Sequence, residues 1–175
     1  PATVWVVAGA VSATSIATLE LEIDIFTPGA GDFCGAAIAV PDDQATWSDA
    51  GSWDDVADFW VGGAGCGEAD GAEVWYEVTV GAGEILEVEE TSTSDVTIQL
   101  VADCADSACL ASGTTSDVAS YLNPESTDLT LWVAVESATA TPSGTGFDVT
   151  FSRTSPPPGD LCIDPIPIDA ATDAW

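Results

Sequence analysis

The sequence predicts an antiparallel β-sandwich, and three observations carry that prediction. Apolar and polar residues alternate with a period of two in several short runs. Clusters of Gly, Asp and Ser punctuate those runs as turns would. No segment sustains the 3.6-residue period of an amphipathic helix. Short strands with one apolar face each must bury those faces against one another, and two packed antiparallel sheets do so.

The elements follow in order along the chain. "AEVWYEVTV" (72–80) places Val74, Tyr76, Val78 and Val80 on one face. "GEILEVEE" (83–90) comes after a Gly-Ala-Gly turn, which predicts a hairpin between these two strands. "SDVTIQLVA" (94–102) offers Val96, Ile98 and Leu100 to the core, and "DLTLWVAVE" (128–136) offers Leu129, Leu131, Val133 and Val135. "GFDVTF" (146–151) closes the series with Phe147, Val149 and Phe151.

The chain also repeats itself. "GDFCGAAIAVPDDQATW" (31–47) returns as "GDLCIDPIPIDAATDAW" (159–175), sharing Gly31/Gly159, Asp32/Asp160, Cys34/Cys162, Ile38/Ile166 and Trp47/Trp175 at a spacing of 128 positions. Upstream, "VWVVAGAVSAT" (4–14) matches "LWVAVESATAT" (131–141), pairing Trp5 with Trp132. A unit of this length is a domain with its own core, not a solenoid turn. The expected organisation is therefore a window on a tandem array. Residues 1–27 are the C-terminal strands of a preceding module, 28–31 a linker, 32–154 a complete module, 155–159 a Pro-rich linker, and 160–175 the start of a following module. "TSPPPG" (154–159) suits a stiff joint, since consecutive prolines favour the extended polyproline conformation. Pro1 reads as the start of a processed or internal fragment. The first 19 residues carry no charged side chain, but their β-branched and Ser/Thr content and lack of flanking basic residues predict strands, with no membrane span.

Thirty acids face a single base, Arg153, with no Lys or His, for a formal charge of −29. Nucleic-acid binding, which rests on Lys and Arg neutralising phosphates, is excluded on that balance. An anionic membrane surface would repel the chain for the same reason. The lack of His removes Ser-His-Asp and Cys-His catalysis, and the lack of Lys removes a Walker loop, so "GGAGCG" (62–67) reads as a turn. No enzymatic activity is expected, and no cofactor is required.

Five cysteines fit an oxidising compartment. Cys34, Cys66, Cys104 and Cys109 form an even set within the module, and Cys162 is the next module's copy of Cys34, parted from its mate. Four cysteines allow three pairings. The expected one joins Cys104 to Cys109 through the small loop "CADSAC" and leaves Cys34 for Cys66. Zinc is the rival use, disfavoured without His and without paired C-x2-C spacing.

Ca2+ is the sharper possibility among the acids. Asp54, Asp55 and Asp58, with Glu68, Asp70 and Glu73, cluster in sequence as oxygen ligands of the kind Ca2+ takes. An EF-hand register would put Cys66 at the first ligand position and so fails. The plain reading of these carboxylates is a solvated face. Trp47, Trp53 and Trp60 raise the possibility of sugar stacking, against the commoner fates of core packing and contact between modules.

In order, "GDFCGAAIAV", "DDVADFW", "GCGEADGAEVWYEVTVGAGEILEVE", "DVTIQLVADCADSACLASG", "LTLWVAVES" and "TGFDVTF" resemble the bacterial pre-peptidase C-terminal domains from Gly31 to about Phe151. The resemblance implies a secreted, jelly-roll-like β-sandwich, often found in tandem on extracellular enzymes and surface proteins. The family's aromatic-rich "GTYYLVV" strand stands here as "LTLWVAV", and "ESTD" replaces the Gly before it. The function expected is that of a non-enzymatic, disulfide-held repeat of a surface protein or extracellular filament, whose partners are neighbouring copies of the same module. The alternative is an adhesive module, dependent on Ca2+ or glycans, accessory to an extracellular enzyme.

Overall fold

The computed structural model describes residues 29–53, 56, 66, 71–91, 96–104, 108–113, 118–138, 146–157 and 159–160. Among these residues a short 3-10 turn, Cys34–Ala36, precedes nine strands: β1 (Ile38–Ala39), β2 (Thr46–Ser52), β3 (Glu73–Val80), β4 (Ile85–Glu90), β5 (Val96–Val101), β6 (Cys109–Gly113), β7 (Val118–Leu122), β8 (Leu129–Ser137) and β9 (Gly146–Thr154). They form two sheets, ordered β1-β3-β8-β5-β6 and β2-β9-β4-β7. All pairings are antiparallel except β1 with β3. Between those two strands the chain crosses to the other sheet as β2, and that detour lets β3 return parallel to β1.

The core is the one that period-two alternation predicts. Val74, Tyr76, Val78 and Val80 of β3 meet Val96, Ile98 and Leu100 of β5 and Leu131, Val133 and Val135 of β8. Leu86 and Val88 of β4, with Phe147, Val149 and Phe151 of β9, supply the opposite wall. Each fully buried Val, Leu or Phe side chain contributes about 1.5–3 kcal/mol through removal of apolar surface from water.

The predicted hairpin between β3 and β4 does not form. β3 pairs with β8, and β4 pairs with β7 and β9, so Gly81–Glu84 carries the chain from one sheet to the other. Gly83 adopts φ 72° in this crossing. Asn123 takes the place of ladder bonds here: its Nδ2 donates to the carbonyls of Val80 (3.0 Å), Gly81 (3.0 Å) and Thr127 (2.9 Å). The amide of Gly83 donates to the Asn123 carbonyl at 3.1 Å, and that of Asn123 to the Glu84 carbonyl at 2.9 Å. A buried backbone group needs a partner, and one amide side chain supplies several.

Cys34, Cys66, Cys104 and Cys109 are all in disulfides, but with a different pairing from the one expected. Cys34 joins Cys104 and Cys66 joins Cys109, at sequence separations of 70 and 43. The ladder explains why the neighbours in sequence do not bond. Cys109 is laid opposite Val101, while Cys104 sits in the turn beyond β5 and reaches the 3-10 turn lying over the outer face of the sheet. Under the chain-entropy account the two long loops contribute about 4.4 and about 4.0 kcal/mol, against about 2 for the short loop expected.

Candidate functional site

The places where the chain enters and leaves the sandwich form the candidate site. At entry, Gly29–Asp32 make a tight turn: the Gly29 amide donates to Asp32 Oδ2 at 2.5 Å, and the Asp32 amide to the Gly29 carbonyl at 3.5 Å. Gly31 sits at φ 88°, a left-handed conformation that glycine adopts without strain. A Cβ there would also come within 2.9 Å of Val74 Cγ1. The Trp75 amide donates to the Gly31 carbonyl at 2.9 Å, fastening the turn to the first residues of β3.

A similar turn follows β9. Gly159 adopts φ 91°, and the Asp160 amide donates to the Pro157 carbonyl at 3.1 Å. Gly31 and Gly159, Asp32 and Asp160, and Gly29 and Pro157 are each 128 positions apart, so the sequence echo is also a conformational one.

At exit, Thr154 ends β9 opposite Ile85, the first residue of β4. The Ser155 hydroxyl donates to Glu84 Oε1 at 3.5 Å, while Glu84 Oε2 accepts from the Gly81 amide at 2.9 Å. The lone base works at this end. Arg153 Nη1 donates to the carbonyls of Pro41 (2.8 Å) and Gln44 (2.9 Å), and its Nη2 lies 3.8 Å from Asp42 Oδ1. Arg153 thus ties the turn between β1 and β2 to β9. One nitrogen, Nη1, serves both carbonyls, while the guanidinium charge faces the Asp42 carboxylate.

Entry and exit lie at opposite ends of the sandwich. The chain comes in beside Trp75 and goes out past the end of β3, beside the Gly81–Glu84 crossing. From Trp75 to Val80 the strand alone advances roughly 17 Å at about 3.4 Å per residue.

The aromatic candidates divide. Trp53 is buried, its ring 4.5 Å from that of Phe147. Trp47 is half-buried, edge-on to Tyr76 at 6.1 Å and tilted on Phe151 at 5.7 Å. Both rings belong to the core wall, leaving no open platform between them. Trp60 lies outside the described residues, as do Asp54, Asp55, Asp58, Glu68, Asp70 and Cys162. Of the Ca2+ candidates only Glu73 is described, and it is fully buried in β3 with Glu136 opposite it in β8. Glu136 Oε1 accepts from the Gly71 amide at 2.9 Å. Among the described residues no group of three or more His, Cys, Asp or Glu side chains is placed to hold a metal ion.

One inward carboxylate stands out on edge strand β2. Tyr76 donates its hydroxyl to Asp49 Oδ2 at 3.1 Å, and the Ala50 amide donates to Asp49 Oδ1 at 3.0 Å. Burial, then the Asp49 charge and this hydrogen bond, push the Tyr76 phenol well above its ordinary range. An inward-facing acid on an edge strand also discourages another strand from pairing there.

Sequence reasoning singled out Gly31 and Asp32 only as repeated letters, and it missed the structural work of Asn123 and Arg153. Their rarity was the available signal, since each is the sole residue of its type in the chain.

Two disulfides fit an extracellular or periplasmic location. No helix among the described residues is long and apolar enough to cross a membrane. No family model and no curated protein matches the chain. Among solved structures, it is similar to PliG of Aeromonas hydrophila, a periplasmic lysozyme inhibitor of g-type lysozyme, with a TM-score of 0.46 and 11% identity, covering 67% of this chain and 95% of that one.

Proposed function

We propose that this chain is a non-enzymatic structural repeat of a secreted bacterial surface protein or extracellular filament, a module of the pre-peptidase C-terminal type whose partners are its own neighbouring copies. The observation that carries the reading is the in-line path of the chain: entry beside the start of β3, exit beyond its end, and the entry turn repeated at Pro157–Asp160. A module that takes in and releases the chain at opposite ends adds its own length to an array. One with adjacent ends would hang to the side, and adjacent termini are common among domains. The charge of −29 adds solubility and keeps neighbouring arrays from adhering to one another.

Electron microscopy of the full-length polymer tests the reading. Filaments or rods with an axial repeat of one module are expected; compact particles in which the repeats fold back on themselves would refute it. Calorimetric titration with Ca2+ and a glycan array separately test the adhesive alternative, to which the packing of Trp47 and Trp53 lends no support.

A further inference from the structure

If the repeat reading holds, almost no free chain separates one module from the next. Thr154 is held in the ladder opposite Ile85, and Ser155 is bonded to Glu84. Pro157 already belongs to the following entry turn, where its carbonyl accepts from Asp160. Only Pro156 lies between the two anchored segments. Three steps of at most about 3.6 Å carry the chain no more than about 11 Å from Thr154 to Pro157. That is close to the spacing of about 10 Å at which packed sheets already interdigitate their side chains. Two sandwiches joined so tightly are brought into contact by the joint itself.

Each end offers apolar surface for that contact. Phe33, at 40% exposure, is the exposed large apolar side chain among the described residues, and it follows the entry turn directly. Its position is defined: its carbonyl accepts from the Ala36 amide at 2.8 Å, and its ring lies over Gly35, where an added Cβ would fall 2.8 Å from Cε2. The equivalent position in the next copy, Leu161, is again a large apolar residue. At the exit end Ile85, Leu122 and Pro156 are half-buried, with Ile85 in register between Leu122 and Thr154.

We propose that consecutive modules dock end to end, Phe33 of each packing against the Ile85, Leu122 and Pro156 end of the module before it, so that the array is a stiff rod and not a string of loose beads. This rests on the repeat reading above. Burial of one phenylalanine is a modest gain, and it suffices because the short joint removes most of the entropic cost of bringing the two surfaces together.

The test extends the chain itself. Residues 32–127 are placed before Pro1, so that residues 1–27 close a complete preceding module and native Phe33 faces its exit end. Nuclear spin relaxation should give both modules a single shared rotational correlation time. Phe33→Ser should split it into two shorter ones. The same substitution in the 175-residue chain should leave the melting curve unchanged, because Phe33 is outside the core. Independent tumbling of two complete sandwiches in the unsubstituted protein overturns the docking while sparing the repeat reading, as does shared tumbling that survives Phe33→Ser. Failure of the added segment to form a second sandwich with its own two disulfides overturns both.

Discussion

The two sheets of this sandwich share a core and treat their outer faces oppositely. β5 in the five-stranded sheet, "VTIQLV", is buried at every residue, whereas β2 in the four-stranded sheet, "TWSDAGS", alternates exposed and half-buried positions along its length. The outer face of the five-stranded sheet carries Trp75, Val101 and Ala134 under a lid made of the 3-10 turn and the Cys34–Cys104 disulfide. That of the four-stranded sheet carries Thr46, Ser48, Ala50, Thr150, Ser152, Glu87 and Glu89, brought side by side by the ladder and open or half-open to water. A sheet covered on both sides is normally covered by helices. Here loops do that work, and a loop lies over a sheet only if something fastens it.

The contrast can be broken most severely by placing a charge under the lid. Ala134→Asp buries a carboxylate among Trp75, Val101 and Cys34, and should cost more than about 4 kcal/mol in chemical denaturation. Cutting the fastening comes next. The double substitution of Cys34 and Cys104 by Ala should lower stability by about 4 kcal/mol and shift Trp fluorescence to the red as Trp75 meets water. Intact fluorescence with unchanged stability would mean that the lid stays down without its bond.

Smaller effects belong to the four-stranded sheet. Gly51 leaves room for the Phe147 ring, with which a Cβ would collide, so Gly51→Ala should cost about 1–3 kcal/mol by overpacking. Tyr76 spans the gap from one sheet to the other through Asp49, and its raised phenol pKa fixes a sign. The contribution is fully present below the unfolded value of about 10 and is lost as pH rises from there towards the higher folded value, by about 1.4 kcal/mol per unit at most. Denaturation midpoints should therefore decline above about pH 10, and Tyr76→Phe should flatten that part of the decline. Smallest of all, Ser48→Asp on the open face should stay within about 0.5 kcal/mol of the parent. A larger loss would show that this face is covered after all.

The legibility of the sequence follows the same division. Strands β3, β4, β5, β8 and β9 were readable because each buries at least one full alternating face. β2, β6 and β7 were not: "TWSDAGS", "CLASG" and "VASYL" are short and rich in Ser, Ala and Gly, residues that mark turns as readily as strand edges. The hairpin after β3 was misread because Gly-Ala-Gly permits a tight turn without specifying which sheet the chain enters next. The disulfides were misread because closeness along the chain says little about closeness in a sheet ladder. Of the turn at Gly29–Asp32, the repeated glycine and aspartate were visible; the left-handed backbone and its anchoring to Trp75 were not.

By itself the sequence determined that this protein is a β-sandwich, that it carries almost no positive charge, and that short stretches of it recur at a spacing of about 128 residues. These are local or additive properties, written in periodicity and composition. Only the tertiary structure decided which strands are neighbours, which cysteines meet, that Arg153 and Asn123 hold the end of the sandwich beyond β3, and that Gly31 lies beside Trp75 while Ser155 lies beside Glu84. Those depend on contacts between residues far apart in sequence. Many pairings satisfy the same alternation, and the one adopted is the one whose backbone donors and acceptors the two ladders pair while the apolar faces meet.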